Sequence, residues 1–133
     1  MLIPAARYHD CEAALAFITG VLGLEEHAVF RDERGGIVHA QIRLGQGLMM
    51  FGPPHGGRFD AMMADPREAG GVTTTIYAVV DDVAARHGRI AAAGAEIVMP
   101  LEDQDYGGSS FSVRDPEGHI WTFGDYDPFK AAG

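Results

Sequence analysis

The chain repeats one pattern of secondary-structure signals at an interval of 71 or 72 residues. Asp10 precedes the first helical pattern, and Asp82 precedes the second. Gly23 and Gly94 follow the two patterns. Aspartate before a helix and glycine after it are typical boundary residues. The repeat indicates a duplicated supersecondary unit. Because each half is too small to bury a core alone, we expect two halves to pair, within one chain or between two.

Hydrophobic periodicity predicts the order β-α-β-β-β in each half. The strands of the first half are expected at residues 2–9, 24–31, 37–44 and 48–51. Those of the second half are expected at residues 72–80, 96–101, 110–114 and 119–123. This order predicts an α+β protein of one domain over residues 1–133, with two βαβββ modules in tandem at about 1–53 and 72–128.

The connector at residues 54–71 is rich in glycine, proline and aspartate. It is long for a loop inside a compact domain, so we expect it to be either mobile or functional.

Composition excludes several classes of partner. The formal net charge of −9 argues against binding to nucleic acid or to an anionic membrane surface. No apolar run approaches the roughly 20 residues of a membrane span. Met1 is not followed by the pattern of a signal peptide, and Cys11 is the one cysteine, so no intrachain disulfide can form. These features predict a cytoplasmic protein.

The closing hairpin is the most specific local motif. Its two alternating strands flank the tight turn Asp115-Pro-Glu-Gly118. Together with Val80-Asp-Asp-Val83 and Ala92-Ala-Gly-Ala95, the hairpin resembles the vicinal oxygen chelate superfamily of glyoxalases, bleomycin-resistance proteins and extradiol dioxygenases. The resemblance covers almost the whole chain. It implies curved mixed sheets around a cavity, with the helices outside, and a homodimer.

The metal-dependent members of that superfamily bind a divalent cation through His, Gln or Glu on the first and last strands of each module. The resemblance places Ile3, Met50, Thr75 and Thr122 at the four positions. None of them offers the imidazole or carboxylate that such cations prefer. We therefore expect no metal, no other cofactor and no catalytic residue of the superfamily's type.

The preferred hypothesis is a metal-free protein that sequesters a small molecule. Two alternatives stay open: a metal-dependent lyase, isomerase or dioxygenase with displaced ligands, and a subunit that binds no ligand. The six histidines lack the spacing that places two imidazoles on one metal. Three of them, His9, His39 and His119, could still converge in space.

Strand alternation selects the residues expected to line the cavity, while Trp121 and Phe123 are expected to face a helix. Arg7 shares the inward face, and a buried arginine needs an anionic partner, so it is a candidate anchor for a ligand. The polar face of the third strand points either inward or to solvent. The expected ligand-binding residues are Arg7, His39, Gln41, Arg43, Met50, Thr75, Tyr77, Tyr106, Ile120 and Thr122.

Overall fold

The computed structural model describes residues 1–131. The chain forms two compact units. The first unit contains residues 1–71 together with the turn Pro116–Gly118, and the second contains the remainder. The connector therefore belongs to the first unit. No helix within residues 1–131 is long and apolar enough to cross a bilayer.

The first unit has the expected order of elements. Its helix α1, Cys11–Ala16, continues directly into a π-helical turn, Phe17–Val21. The strands and the helix are β1 (Ala5–Arg7), α1 (Cys11–Ala16), β2 (Glu25–Arg31), β3 (Ile37–Leu44) and β4 (Gly47–Gly52). The connector forms a 3-10 turn, Arg58–Ala61, and the short helix α2, Pro66–Ala69.

The second unit repeats the order. Its elements are β5 (Ile76–Val79), α3 (Val83–Ala92), β6 (Glu96–Asp103), β7 (Ser109–Arg114), β8 (Ile120–Gly124) and α4 (Pro128–Ala131). The sheets have matching strand orders, β1-β4-β3-β2 and β5-β8-β7-β6. In each sheet one parallel pair, β1 with β4 or β5 with β8, accompanies two antiparallel pairs. The prediction of an α+β fold with two βαβββ modules is confirmed.

The first strand of each module is shorter than predicted. β1 pairs with β4 over three residues only, and β5 pairs with β8 over four. Strand ends are set by the extent of pairing, which hydrophobic periodicity does not report. Ile3 and Thr75 consequently lie just outside the strands to which they were assigned.

Side-chain alternation is confirmed on the strands that carry the core. On β3, Ala40 and Ile42 are fully buried, whereas Arg43 on the opposite face is exposed. On β8, Trp121 and Phe123 are buried. Their face meets α3, since the Arg86 guanidinium lies 5.5 Å from the centre of the Phe123 ring.

Both predicted N-cap residues precede their helices, but only one of them makes a capping hydrogen bond. Asp10 Oδ1 accepts a hydrogen bond from the Ala13 backbone N–H at 3.0 Å, as expected of an N-cap. Asp82 occupies the same position before α3 but makes no capping hydrogen bond. Its carboxylate instead pairs with Arg86 and Arg89, at 3.1 and 3.0 Å. The guanidinium groups of these two arginines, both on α3, therefore take the Asp82 carboxylate oxygens in place of the backbone N–H groups at the start of the helix.

The Glu117 carboxylate is buried at the entrance of α1. Oε1 accepts from the His9 N–H at 2.7 Å, and Oε2 accepts from the Asp10 N–H at 2.8 Å. Arg67 Nη2, from within α2, lies 3.2 Å from Oε1. An ionised acceptor makes stronger hydrogen bonds than a neutral one, so a single side chain fixes the start of α1 and the end of the connector.

Gly118 permits this arrangement. Its φ of +99° lies in the region that favours glycine. A Cβ at this position would also lie 3.0 Å from Pro66 Cβ, so the turn approaches α2 too closely for a side chain.

The substitution Glu117→Ala should lower the free energy of unfolding by about 2–3 kcal/mol, because two partly buried N–H groups lose a buried, charged acceptor. Urea unfolding measures the loss. The matched control Glu33→Ala, in an exposed turn, should change it by less than about 0.5 kcal/mol. Equal effects of the two substitutions would contradict the role assigned to Glu117.

Candidate functional site

The first unit contains a cavity of about 260 Å³, referred to below as the Arg7 cavity. The sheet contributes Arg7, His39 and Met50, three of the residues expected from the sequence. The connector and the residues that lead into it contribute Pro53, His55, Phe59 and Met63. Most of these side chains are apolar or aromatic, with two imidazoles as hydrogen-bonding groups. This mixture is typical of sites for small organic molecules.

Arg7 is buried, and the chain itself supplies its anionic partner. Arg7 Nη2 lies 3.0 Å from Asp60 Oδ1, and Nη1 donates to the Pro53 carbonyl at 2.6 Å. Nη2 also lies 3.8 Å from Met63 Sδ. The guanidinium therefore ties the connector to β1, and Asp60 balances its charge.

Asp60 is held in its ionised form. Partial burial alone would raise the pKa of this carboxyl, but hydrogen bonds from the backbone N–H groups of Gly56 and His55 and the charge of Arg7 outweigh burial and lower the pKa. Those N–H groups lie 2.5 and 3.1 Å from Oδ2. Asp60 is thus an anion at neutral pH, and its charge balances that of Arg7 without a ligand.

His39 and Gln41 form a polar pair on β3. The Gln41 amide nitrogen lies 3.2 Å from His39 Nε2, and the Phe30 ring packs 5.8 Å from the imidazole. These contacts orient His39 at the wall of the Arg7 cavity. Gln41 does not itself line the cavity.

Arg43 is engaged elsewhere. Its Nη2 lies 3.2 Å from Glu25 on the neighbouring strand, and both side chains are largely exposed. Arg114 and Glu96 form the same cross-strand pair in the second unit. The recurrence of this pair at the repeat interval indicates a feature of the duplicated module rather than of a ligand site.

Five of the expected residues lie in the second unit and do not line the Arg7 cavity. Thr75 is exposed ahead of β5. The Tyr77 hydroxyl donates to the Tyr126 carbonyl at 2.8 Å, and the Tyr106 ring packs edge-on against the Tyr126 ring at 5.0 Å.

Ile120 and Thr122 are half-buried on β8. The Thr122 hydroxyl shares a hydrogen bond of 2.7 Å with the Ser112 hydroxyl on β7. Ile120 lies opposite Arg114. Thr122 therefore makes its hydrogen bond, and Ile120 its cross-strand pairing, within the second sheet.

The residues at the superfamily's metal positions do not fit a divalent cation. The resemblance assigned these positions to Ile3, Met50, Thr75 and Thr122. Their side chains offer an alkyl group, a thioether and two hydroxyls, and the Thr122 hydroxyl already shares a hydrogen bond with Ser112. Divalent cations of this kind prefer carboxylate and imidazole ligands.

Cys11 is not an activated nucleophile. Burial, reinforced by the negative charges of Glu117 and Asp10, raises the pKa of its thiol to about 11. The thiolate is the reactive form, so this cysteine is a packing residue at neutral pH.

Periodicity missed the side chains that the connector contributes to the cavity. His55, Phe59 and Met63 belong to a segment without strand or helix alternation, so their direction could not be read from the sequence. The length of the connector was the one signal that pointed to them.

The sequence model of the Glyoxalase/Bleomycin resistance protein/Dioxygenase superfamily matches residues 4–123. The chain belongs to this superfamily. A protein of Mycobacterium bovis described as uncharacterized is 30% identical over 123 residues, which span 92% of this chain and 81% of that protein.

Solved structures of the superfamily share the fold. TioX from Micromonospora sp. ML1 is 30% identical, has a TM-score of 0.71, and the match covers 92% of this chain and 95% of TioX. A glyoxalase/bleomycin resistance protein from Streptomyces sp. CB03234 is 16% identical with a TM-score of 0.69, and the match covers 92% and 96% of the two chains. The second likeness concerns the fold alone.

The Arg7–Asp60 pair predicts a dependence of stability on acid pH. Because the pKa of Asp60 is lowered on folding from the ordinary aspartate value of 3.8, its contribution is present above that value and is lost as the pH falls through the folded pKa. Asp60→Asn should be less stable at pH 7 and should lose less stability below about pH 4 than the parent. Thermal unfolding across this range measures both effects. Asp105→Asn, in an exposed loop, is the control, and equal slopes for the parent and Asp60→Asn would contradict the assignment.

Proposed function

We propose that this chain binds and sequesters a small organic molecule in the Arg7 cavity, without a metal at the superfamily's usual positions. The observation that supports this most is a concave, mostly apolar site flanked by His39 and His55. Binding sites for small molecules combine an apolar lining with a few polar groups that set orientation. The donor set at the usual metal positions supports a role in binding rather than in metal-dependent catalysis.

The charge of the cavity narrows the class of ligand. The sequence suggested that Arg7 would need an anion from the ligand. Asp60 satisfies this requirement, and displacing it would separate a partly buried carboxylate from the buried guanidinium with which it is paired. We therefore propose a neutral ligand, held by apolar contact and by hydrogen bonds to the imidazoles.

The size of the cavity sets a further limit. Its volume of about 260 Å³ is slightly below the range of roughly 300–1,000 Å³ that is usual for ligand sites. A flat molecule of one or two rings suits this space, and Phe59 and Met63 offer it an aromatic and a thioether surface.

The proposal includes a homodimer. Val38 and Phe59, both at the cavity, are 47% and 62% exposed, and a second copy of the chain would cover such apolar side chains. The mass in solution can be measured by sedimentation equilibrium, and a monomer at micromolar concentration would contradict this part of the proposal.

A thermal-shift screen of neutral one- and two-ring compounds in the presence of EDTA tests the function. Compounds that raise the unfolding temperature are then titrated by calorimetry. Phe59→Ala should weaken binding about fivefold, because an aromatic contact contributes of the order of 1 kcal/mol. Phe129→Ala removes an exposed phenylalanine outside the Arg7 cavity and should have no effect.

Two results would overturn the proposal. The first is binding that is lost in EDTA and restored by a divalent cation, which would favour the metal-dependent alternative. The second is binding that Phe59→Ala leaves unchanged, which would place the ligand elsewhere.

A further inference from the structure

His9, Asp65 and Glu68 form a compact cluster, called the His9 cluster below, on residues that do not line the Arg7 cavity. One ligand atom from each residue lies within 4.8 Å of the other two. No other group of three or more such side chains is this close within residues 1–131. We propose that the His9 cluster binds a divalent transition-metal cation such as Zn²⁺.

The donor atoms already converge on one point. His9 Nε2 lies 2.6 Å from Glu68 Oε1 and 3.2 Å from Asp65 Oδ2. His9 Nε2 thus faces two carboxylate oxygens. This nitrogen carries at most one proton, which the two oxygens would have to share. One imidazole nitrogen and two carboxylate oxygens are a suitable set for Zn²⁺, with water completing the coordination.

Only a small movement is needed to admit the ion. Zinc binds nitrogen and oxygen at about 2.0–2.2 Å, so tetrahedral ligands lie roughly 3.4 Å apart. His9 and Asp65 are close to that separation. Glu68 would have to withdraw by less than about 1 Å, and its side chain is 55% exposed, so it is free to do so.

The surrounding charges favour a cation. Asp65, Glu68 and Glu117 bring three carboxylates, against which Arg67 brings one guanidinium, 3.0 Å from Asp65 and 3.2 Å from Glu117. A divalent ion would balance the formal excess of two negative charges. Arg67 approaches Asp65 Oδ2 as well, so it would remain a neighbour of the bound ion.

Both carboxylates of the cluster are anionic at neutral pH. Burial would raise the pKa of Asp65, but hydrogen bonds from the Glu68 N–H and from Arg67 lower it. The hydrogen bond from His9, followed by that from the Asp65 N–H, lowers the pKa of Glu68. Asp65 and Glu68 also form the capping box of α2, which holds the two carboxylates in place.

The bound ion would have a structural role. His9 immediately precedes α1, whereas Asp65 begins α2, so the cation would join two segments that are 56 residues apart in the sequence. Because the ion would bind the folded state alone, it would raise the unfolding temperature, and the rise would grow with the logarithm of the free ion concentration above the Kd.

The test is a calorimetric titration of chelator-treated, untagged protein with ZnCl₂, together with thermal unfolding with and without the ion. We expect one ion per chain at micromolar affinity and a rise in the unfolding temperature. His9→Ala and Glu68→Gln should each weaken binding by at least about tenfold and abolish the rise. Glu68→Gln keeps the shape of the side chain, so it tests the site even if His9→Ala folds poorly.

His27→Ala is the matched control, because it removes an exposed histidine outside the cluster. It should bind zinc as the parent does. No binding at millimolar zinc, or equal weakening by His27→Ala and Glu68→Gln, would overturn the proposal. Either result would leave the small-molecule proposal intact, because that site uses other residues and is tested in EDTA.

Discussion

The ion pair between Arg7 and Asp60 is the interaction on which the account of the first unit depends. A guanidinium on the short edge strand β1 is buried, and an unpaired charge in that place would be costly. The chain resolves this by folding the connector back so that Asp60 and the Pro53 carbonyl reach Arg7. The same contact holds the connector against β1 beside the cavity and balances the charge of Arg7, and so connects the fold to the class of ligand.

A second group of buried polar contacts fixes the far end of the connector. Glu117 accepts hydrogen bonds from the start of α1, and Arg67 links it to Asp65 at the start of α2. The connector is therefore anchored at both ends by charged groups rather than by an apolar core. Such contacts are directional, which explains how a segment rich in glycine and proline has a defined course.

The repeat and the alternation of apolar residues were enough to predict the two βαβββ modules, because burial on one face of a strand leaves a period of two in the sequence. The same signals, together with the resemblance, selected Arg7, His39 and Met50, which line the cavity, but left the direction of His39 open. They could not show that Asp60 neutralises Arg7, since that contact spans 53 residues and involves an irregular segment. The strand ends at Ile3 and Thr75 were wrong for a related reason, because pairing partners decide them. Asp82 lies at the predicted N-cap position, but competing guanidinium donors take its carboxylate.

The methionines allow the most direct test of ligand binding at the Arg7 cavity. Met50 and Met63 line it, whereas Met62 and Met99 are exposed and do not. Protein labelled with ¹³C at the methionine methyl groups would be titrated, in EDTA, with the best neutral compound from the screen and followed by NMR. The account predicts shifts at Met50 and Met63 with Met62 and Met99 unchanged. Shifts confined to Met62 or Met99, or shifts that require an added divalent cation, would contradict it.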